Sequence, residues 1–139
     1  MGRVMAIDYG KKRTGLAVTD PMQIIANPLD YVKTHDLLNY LQNYCSNENV
    51  EAIVVGKPIN LDNRDNEMSE PANKLAERLA KLFPDLKIYR HDERFTSKMA
   101  IQSMIAGGSR KSQRREKGNI DKISATIILQ SFLESINRR

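Results

Sequence analysis

The chain has 139 residues, of which 40% are apolar and 28% charged, an ordinary globular balance at a length that suits one domain over residues 1–139. No apolar run approaches the ~18 residues of a membrane span, no apolar leader follows Met1, and Cys45 is the lone cysteine, so the composition speaks against a membrane protein and a disulfide-stapled secreted domain and points to the cytoplasm. Twenty-two Lys and Arg against 17 Asp and Glu leave a net charge of +5, which favours an anionic partner such as nucleic acid.

Two short apolar segments, residues 5–8 and 15–19, flank the turn-like Tyr9-Gly10-Lys11-Lys12-Arg13-Thr14 and predict a β-hairpin. Residues 24–32 supply a third strand, and Pro28 places it at a sheet edge. Thr34 is the expected N-cap of a helix to about residue 46, whose inner face carries Leu37, Leu38, Leu41, Tyr44 and Cys45. Cys45 therefore reads as a small core residue.

The continuous apolar run at 51–56 suits a central strand buried on both faces. Ser69 is expected to cap a second helix with Pro71 in its first turn, Leu75, Leu79 and Leu82 on its inner face, and Pro84 beyond its end. Residues 87–91 read as a strand, 96–106 as a helix stopped by Gly107-Gly108, and 120–136 as a last helix. Between these last two helices, GGSRKSQRREKGN holds Arg110, Lys111, Arg114, Arg115 and Lys117 against Glu116. The order β-β-β-α-β-α-β-α-α predicts a mixed sheet covered by helices.

Carboxylates fall at element ends. Asp8 closes the first strand, Asp92 and Glu93 close the strand at 87–91, and Asp121 opens the last helix. Ala125, Ile128, Leu129, Phe132 and Ile136 continue a stripe that begins at Asp121, and a carboxylate on an apolar stripe needs a cation or hydrogen-bonding partner. Each acid also has an ordinary explanation: a turn-forming Asp8, a Glu93–Arg94 ion pair, a favourable helix dipole at Asp121. If the three converge, their repulsion calls for divalent cations, and oxygen ligands favour Mg²⁺ or Mn²⁺. A two-metal site of that kind hydrolyses phosphodiesters. Two histidines and one cysteine do not make a His- or Cys-rich zinc site, and no G-x-S-x-G or Walker A pattern is present.

Four segments then carry a resemblance. Asp8-Tyr9-Gly10-Lys11-Lys12-Arg13-Thr14-Gly15-Leu16-Ala17-Val18-Thr19-Asp20 resembles D-x-G-x-K-R-x-G-x-A-x-S-D, and Val54-Val55-Gly56-Lys57-Pro58 resembles a V-G-L-P segment. Asp92-Glu93-Arg94-Phe95-Thr96-Ser97 resembles D-E-R-[FL]-[ST]-[ST], and Asp121-Lys122-Ile123-Ser124-Ala125 resembles D-[KS]-x-A-A. Together and in this order they are similar to the motifs of the YqgF family, bacterial proteins described as Holliday junction resolvases and as nucleases maturing the 5′ end of pre-16S rRNA. Lys57, Ser124 and Thr19 depart from the family pattern, none of them at an expected metal ligand.

The resemblance implies an α/β, RNase H-like fold: a mixed five-stranded sheet, three antiparallel strands then parallel ones, flanked by helices. It implies a metal-dependent endonuclease with Asp8, Glu93 and Asp121 as catalytic metal ligands for two Mg²⁺ or Mn²⁺ ions. Between Asp92 and Glu93, family analogy prefers Glu93, since neighbouring strand residues face opposite sides. Lys11, Lys12, Arg13 and Arg94, with Arg110, Lys111, Arg114 and Arg115, are the expected nucleic-acid contacts, which give affinity without sequence specificity. Tyr9 is the one aromatic candidate near the site.

Precursor rRNA is the expected substrate, with branched DNA, as a Holliday junction resolvase would cut, the alternative. Junction resolution requires a homodimer with paired sites, whereas rRNA processing is compatible with a monomer or homodimer. A non-catalytic nucleic-acid-binding module is a further alternative. An actin-like ATPase or sugar kinase shares the D-x-G hairpin, but Lys11 stands where that loop carries Thr or Ser, and 139 residues leave no room for a second lobe.

Overall fold

The computed structural model describes residues 2–57, 68–92 and 117–137, without the side chains of residues 57, 92, 117–121 and 137. Strands β1 (Arg3–Asp8), β2 (Arg13–Thr19) and β3 (Ala26–Lys33) form an antiparallel meander. A 3₁₀ turn at Thr34–Asp36 leads into α1 (Leu37–Asn47), followed by β4 (Val50–Lys57), α2 (Ser69–Leu82), β5 (Lys87–Asp92) and α3 (Lys117–Asn137). The sheet order is β3-β2-β1-β4-β5, with β1, β4 and β5 parallel. This is the mixed five-stranded sheet that the sequence predicts; the helix expected at 96–106 lies outside the described residues.

Strand alternation sorts the core onto two faces. Met5, Ile7, Leu16, Ile53 and Val55 pack beneath Leu37 and Leu41 of α1 and Leu75 and Leu79 of α2. Val4, Ala6, Ala17, Ala52 and Val54 pack beneath Ala125, Ile128, Leu129 and Phe132 of α3. The second face is built largely of alanine, so α3 lies close to the sheet. β4 feeds both faces, as its unbroken apolar run requires. Cys45 packs half-buried against the first cluster, and burial pushes its thiol above the usual range, which suits a core residue and disfavours the thiolate.

β3 is the edge strand that Pro28 demands. Leu16 faces Asp30 while Ala17 faces Pro28, so Leu29 is passed over in a bulge beside the residue that has no N–H to donate.

Two helix starts differ from expectation. Thr34 does not cap α1: it lies two residues before the cap position, and its hydroxyl donates to the Gly10 carbonyl at 2.7 Å. The 3₁₀ turn intervenes, and Asp36, at the cap position of α1, makes no side-chain cap bond. Ser69 is the first residue of α2, one place inside the expected cap, with Met68 preceding it. α3 begins at Lys117, three residues before the expected start at 120, and takes the end of the basic segment into the helix.

The β2–β3 loop is organised by Asp20. Its carboxylate accepts the backbone N–H groups of Ile24 and Ile25 at 2.8 Å each and of Met22 at 3.1 Å. Gln23 adopts φ 59°, a left-handed conformation uncommon for a side-chain-bearing residue, and its side-chain amide donates to the Gly2 carbonyl and to Glu51. The hydrogen bond from Ile25, with those from Ile24 and Met22, holds the Asp20 carboxyl below the usual carboxylate range. A lowered folded-state pKa contributes stability that is fully present above the unfolded value of about 3.9 and is lost as pH falls through the folded one. The melting-temperature gap between the native chain and Asp20→Asn is therefore expected to be flat near neutrality and to close below about pH 4. A gap that persisted unchanged to pH 2 would remove the carboxylate from this role.

Candidate active site and basic hairpin turn

Asp8 is the last residue of the central strand β1, and alternation places it on the face of Val4 and Ala6, under α3. In register it lies opposite Gly15, which lies opposite Tyr31 on β3. Lys122 Nζ sits 5.5 Å from the centroid of the Tyr31 ring, a cation–π contact that anchors the early turns of α3 to this same row. Residue 121, the chain neighbour of Lys122, belongs to the same early part of α3; its side chain lies outside the described residues.

The other half of α3 is tied to β5. His91 Nε2 and Ser131 Oγ share a hydrogen bond at 2.8 Å, and the rings of Tyr89 and Phe132 meet at 5.1 Å. On β5, His91 faces Gly56 and Asp92 faces Lys57, while Ile7 faces Val55. Asp92 thus ends its strand one residue beyond the row of Asp8, two strands away, about 10 Å by strand spacing. All three parallel strands end at this edge, where open α/β sheets place their ligands.

The ends of β1 and β5 therefore lie at one edge of the sheet, and Lys122, near the start of α3, meets Tyr31 of β3 in the same row. Asp8 is described in full and half-buried. Glu93, Arg94, Arg110, Lys111, Arg114 and Arg115 lie outside the described residues. Among the described residues no three His, Cys, Asp or Glu side chains form a metal cluster. The donors on offer are carboxylate oxygens, the chemistry that suits Mg²⁺ or Mn²⁺.

The chain matches the family described as "RuvX: Holliday junction resolvase" over residues 2–135. It is 54% identical to a protein of Amoebophilus asiaticus over 138 residues, covering 99% of this chain and 98% of that one. It is 49% identical to a protein of Flavobacterium johnsoniae over 135 residues, covering 97% and 98%. Both relatives are named "Putative pre-16S rRNA nuclease".

The chain belongs to the RuvX/YqgF family.

A solved structure of Thermus thermophilus RuvC in complex with a Holliday junction substrate matches with a TM-score of 0.60 over 97% of this chain and 96% of that one, at 18% identity. That likeness fixes the fold as RNase H-like. In the RuvX/YqgF frame, the D-x-G opening runs directly from Asp8 into the hairpin turn.

That turn is locked in place. The Thr34 N–H donates to the Lys12 carbonyl at 3.0 Å, and its hydroxyl to the Gly10 carbonyl. Thr14 Oγ1 lies 3.0 Å from Thr34 Oγ1, and with the Thr34 proton already committed, Thr14 is the donor. Lys11 and Lys12 stand exposed and Arg13 half-buried on this fixed scaffold. A Cβ on Gly10 would meet the Arg13 carbonyl oxygen at 2.1 Å, so the turn admits glycine alone. Gly10→Ala is expected to force the turn open and cost about 1–3 kcal/mol in urea unfolding; an unchanged midpoint would show a turn free to relax.

Sequence reasoning missed Lys33, Lys74 and Arg78, which share a groove with this turn. They come from separate elements, and the one available signal was the i, i+4 spacing of Lys74 and Arg78 on α2.

Proposed function

We propose that the protein is a divalent-metal-dependent endonuclease that hydrolyses phosphodiester bonds of structured nucleic acid, with the 5′ end of pre-16S rRNA as its substrate in the cytoplasm. The near-full-length identity to proteins named for that activity carries the reading, and the position of Asp8 at the ligand-binding edge of the sheet agrees with it.

In this reading Asp8, Glu93 and Asp121 hold Mg²⁺ or Mn²⁺, which when bound supplies an activated water and charge stabilisation at the phosphate. The chain's own contribution is orientation. The locked turn presents Lys11 and Lys12 beside Asp8, where ammonium groups hold phosphates without reading bases. Arg94, Arg110, Lys111, Arg114 and Arg115 add cationic contacts on the segments that flank Glu93 and Asp121.

The family description favours a second reading, resolution of Holliday junctions, which requires two sites in a homodimer. End-labelled pre-16S leader RNA and a four-way DNA junction, incubated in parallel with protein and Mn²⁺ or Mg²⁺, separate the two. RNA cleavage absent from Asp8→Asn supports the first reading, and cleavage of the junction alone supports the second. Binding without cleavage of either would leave a nucleic-acid-binding module.

A further inference from the structure

A groove of about 1010 Å³ opens on the α1/α2 face of the sheet, beside the hairpin turn that follows Asp8. Its rim carries Lys11, Lys12, Arg13, Lys33, Lys74 and Arg78, with Glu70 as the acidic exception. Lys11, Lys12, Lys33, Lys74 and Arg78 are exposed, and among the described residues none of these five is ion-paired with a carboxylate.

The walls are of another kind: the Tyr9 ring, Leu38, Pro71 and Leu75 give an apolar lining. A second hollow of about 280 Å³, against Tyr9, Gly10, Met68 and Pro71, extends the lining past the turn at the start of α2. From Glu70 to Arg78 the groove follows α2 for about 12 Å.

A cationic rim over an aromatic and apolar lining matches one polymer. An unpaired nucleic-acid strand offers phosphates to the rim and π-faces to the lining, whereas a duplex keeps its bases stacked away from such a wall. We propose that this groove, which lies on the sheet face opposite the Asp8 side chain and meets the end of β1 only at the hairpin turn, is the track of an unpaired strand entering or leaving the cut at Asp8, with phosphates on Lys33, Lys74 and Arg78 and a base against Tyr9. The identity of the polymer rests on the nuclease reading; the track itself does not depend on turnover.

Binding of a 5′-labelled 12-residue oligouridine to the full chain, read by fluorescence anisotropy in EDTA, tests the track apart from cleavage. Lys74→Ala/Arg78→Ala is expected to bind about tenfold more weakly at low salt and to lower the slope of log K against log salt by about 1.4, two phosphates at ~0.7 each. The control Lys81→Ala/Lys87→Ala removes the same charge from exposed positions outside the groove and is expected to stay within about twofold of the native chain with its slope intact. Tyr9→Leu, which keeps the apolar bulk, is expected to lose about fivefold or more.

Equal losses in both double variants, no loss in either, or no binding by the native chain would overturn the proposal. So would a duplex that binds with the same dependence on Lys74 and Arg78, or displacement by polyglutamate at equal charge, which would mark an acidic-peptide site. Cleavage of leader RNA by a native chain whose oligouridine binding ignores the groove would sink the track and spare the nuclease. Groove-dependent binding without cleavage would do the reverse.

Discussion

Asp8→Asn is expected to abolish metal-dependent cleavage of leader RNA, by about 10³-fold or more, while nucleic-acid binding in EDTA is retained or strengthened. The two halves have opposite electrostatic origins. The substitution keeps shape and removes one negative charge at the end of the central strand, where the parallel strands of the sheet finish. A carboxylate that helps hold a divalent cation supports several kcal/mol of transition-state stabilisation, and 1.36 kcal/mol is tenfold in rate. The same charge repels phosphate when no cation lies between them, so neutralising it favours binding. Asp8 ends its strand half-buried and outside the two apolar clusters, so the melting temperature is expected to move by only a few degrees. Labelled leader RNA with Mn²⁺, run beside an anisotropy titration in EDTA, reads both halves. Turnover unchanged in Asp8→Asn would remove Asp8 from the chemistry, and a parallel loss of binding and folding would reduce it to a structural residue.

The sequence made the sheet legible because its signals are local. The hairpin around Gly10, the edge strand marked by Pro28 and the doubly buried β4 all follow from patterns a few residues long, and each stands where expected. The helix starts were less legible because caps are decided by competition. Thr34 has the right side chain to cap α1, yet a 3₁₀ turn puts the cap position two residues beyond it, and its hydroxyl joins Gly10 and Thr14 of the hairpin instead. Asp20 shows the converse: it closes the opening motif, and its role in the fold is to gather three backbone N–H groups of the loop that follows. Of the site, the strand-end position of Asp8 and the apolar stripe of α3 were readable. The Tyr31–Lys122 contact that pins α3 was not, because it joins residues 91 apart through the register of two intervening strand pairs.

That pinning makes the two faces of the sheet unequal, and two core substitutions should separate them. Ala17 is fully buried on the alanine-rich face under α3, and Leu79 is fully buried on the opposite face, where α2 packs. Ala17→Leu adds bulk where helix and sheet lie close, and is expected to cost about 1–3 kcal/mol by overpacking. Leu79→Ala leaves a cavity and is expected to cost about 2–5 kcal/mol. Stability alone would rank Leu79→Ala as the worse variant. Activity is expected to rank them the other way. Lifting α3 shifts its first turns, and with them residue 121, relative to Asp8, and a displacement of about 1 Å at a reacting centre costs on the order of 10²-fold. A cavity on the far face leaves that geometry in place. Rates per folded molecule, at saturating RNA and well below both melting temperatures, are therefore expected to fall about 10²-fold for Ala17→Leu and to stay within a few-fold of native for Leu79→Ala. Losses that simply followed stability in both variants would mean that α3 does not position the site, and would take Asp121 out of it.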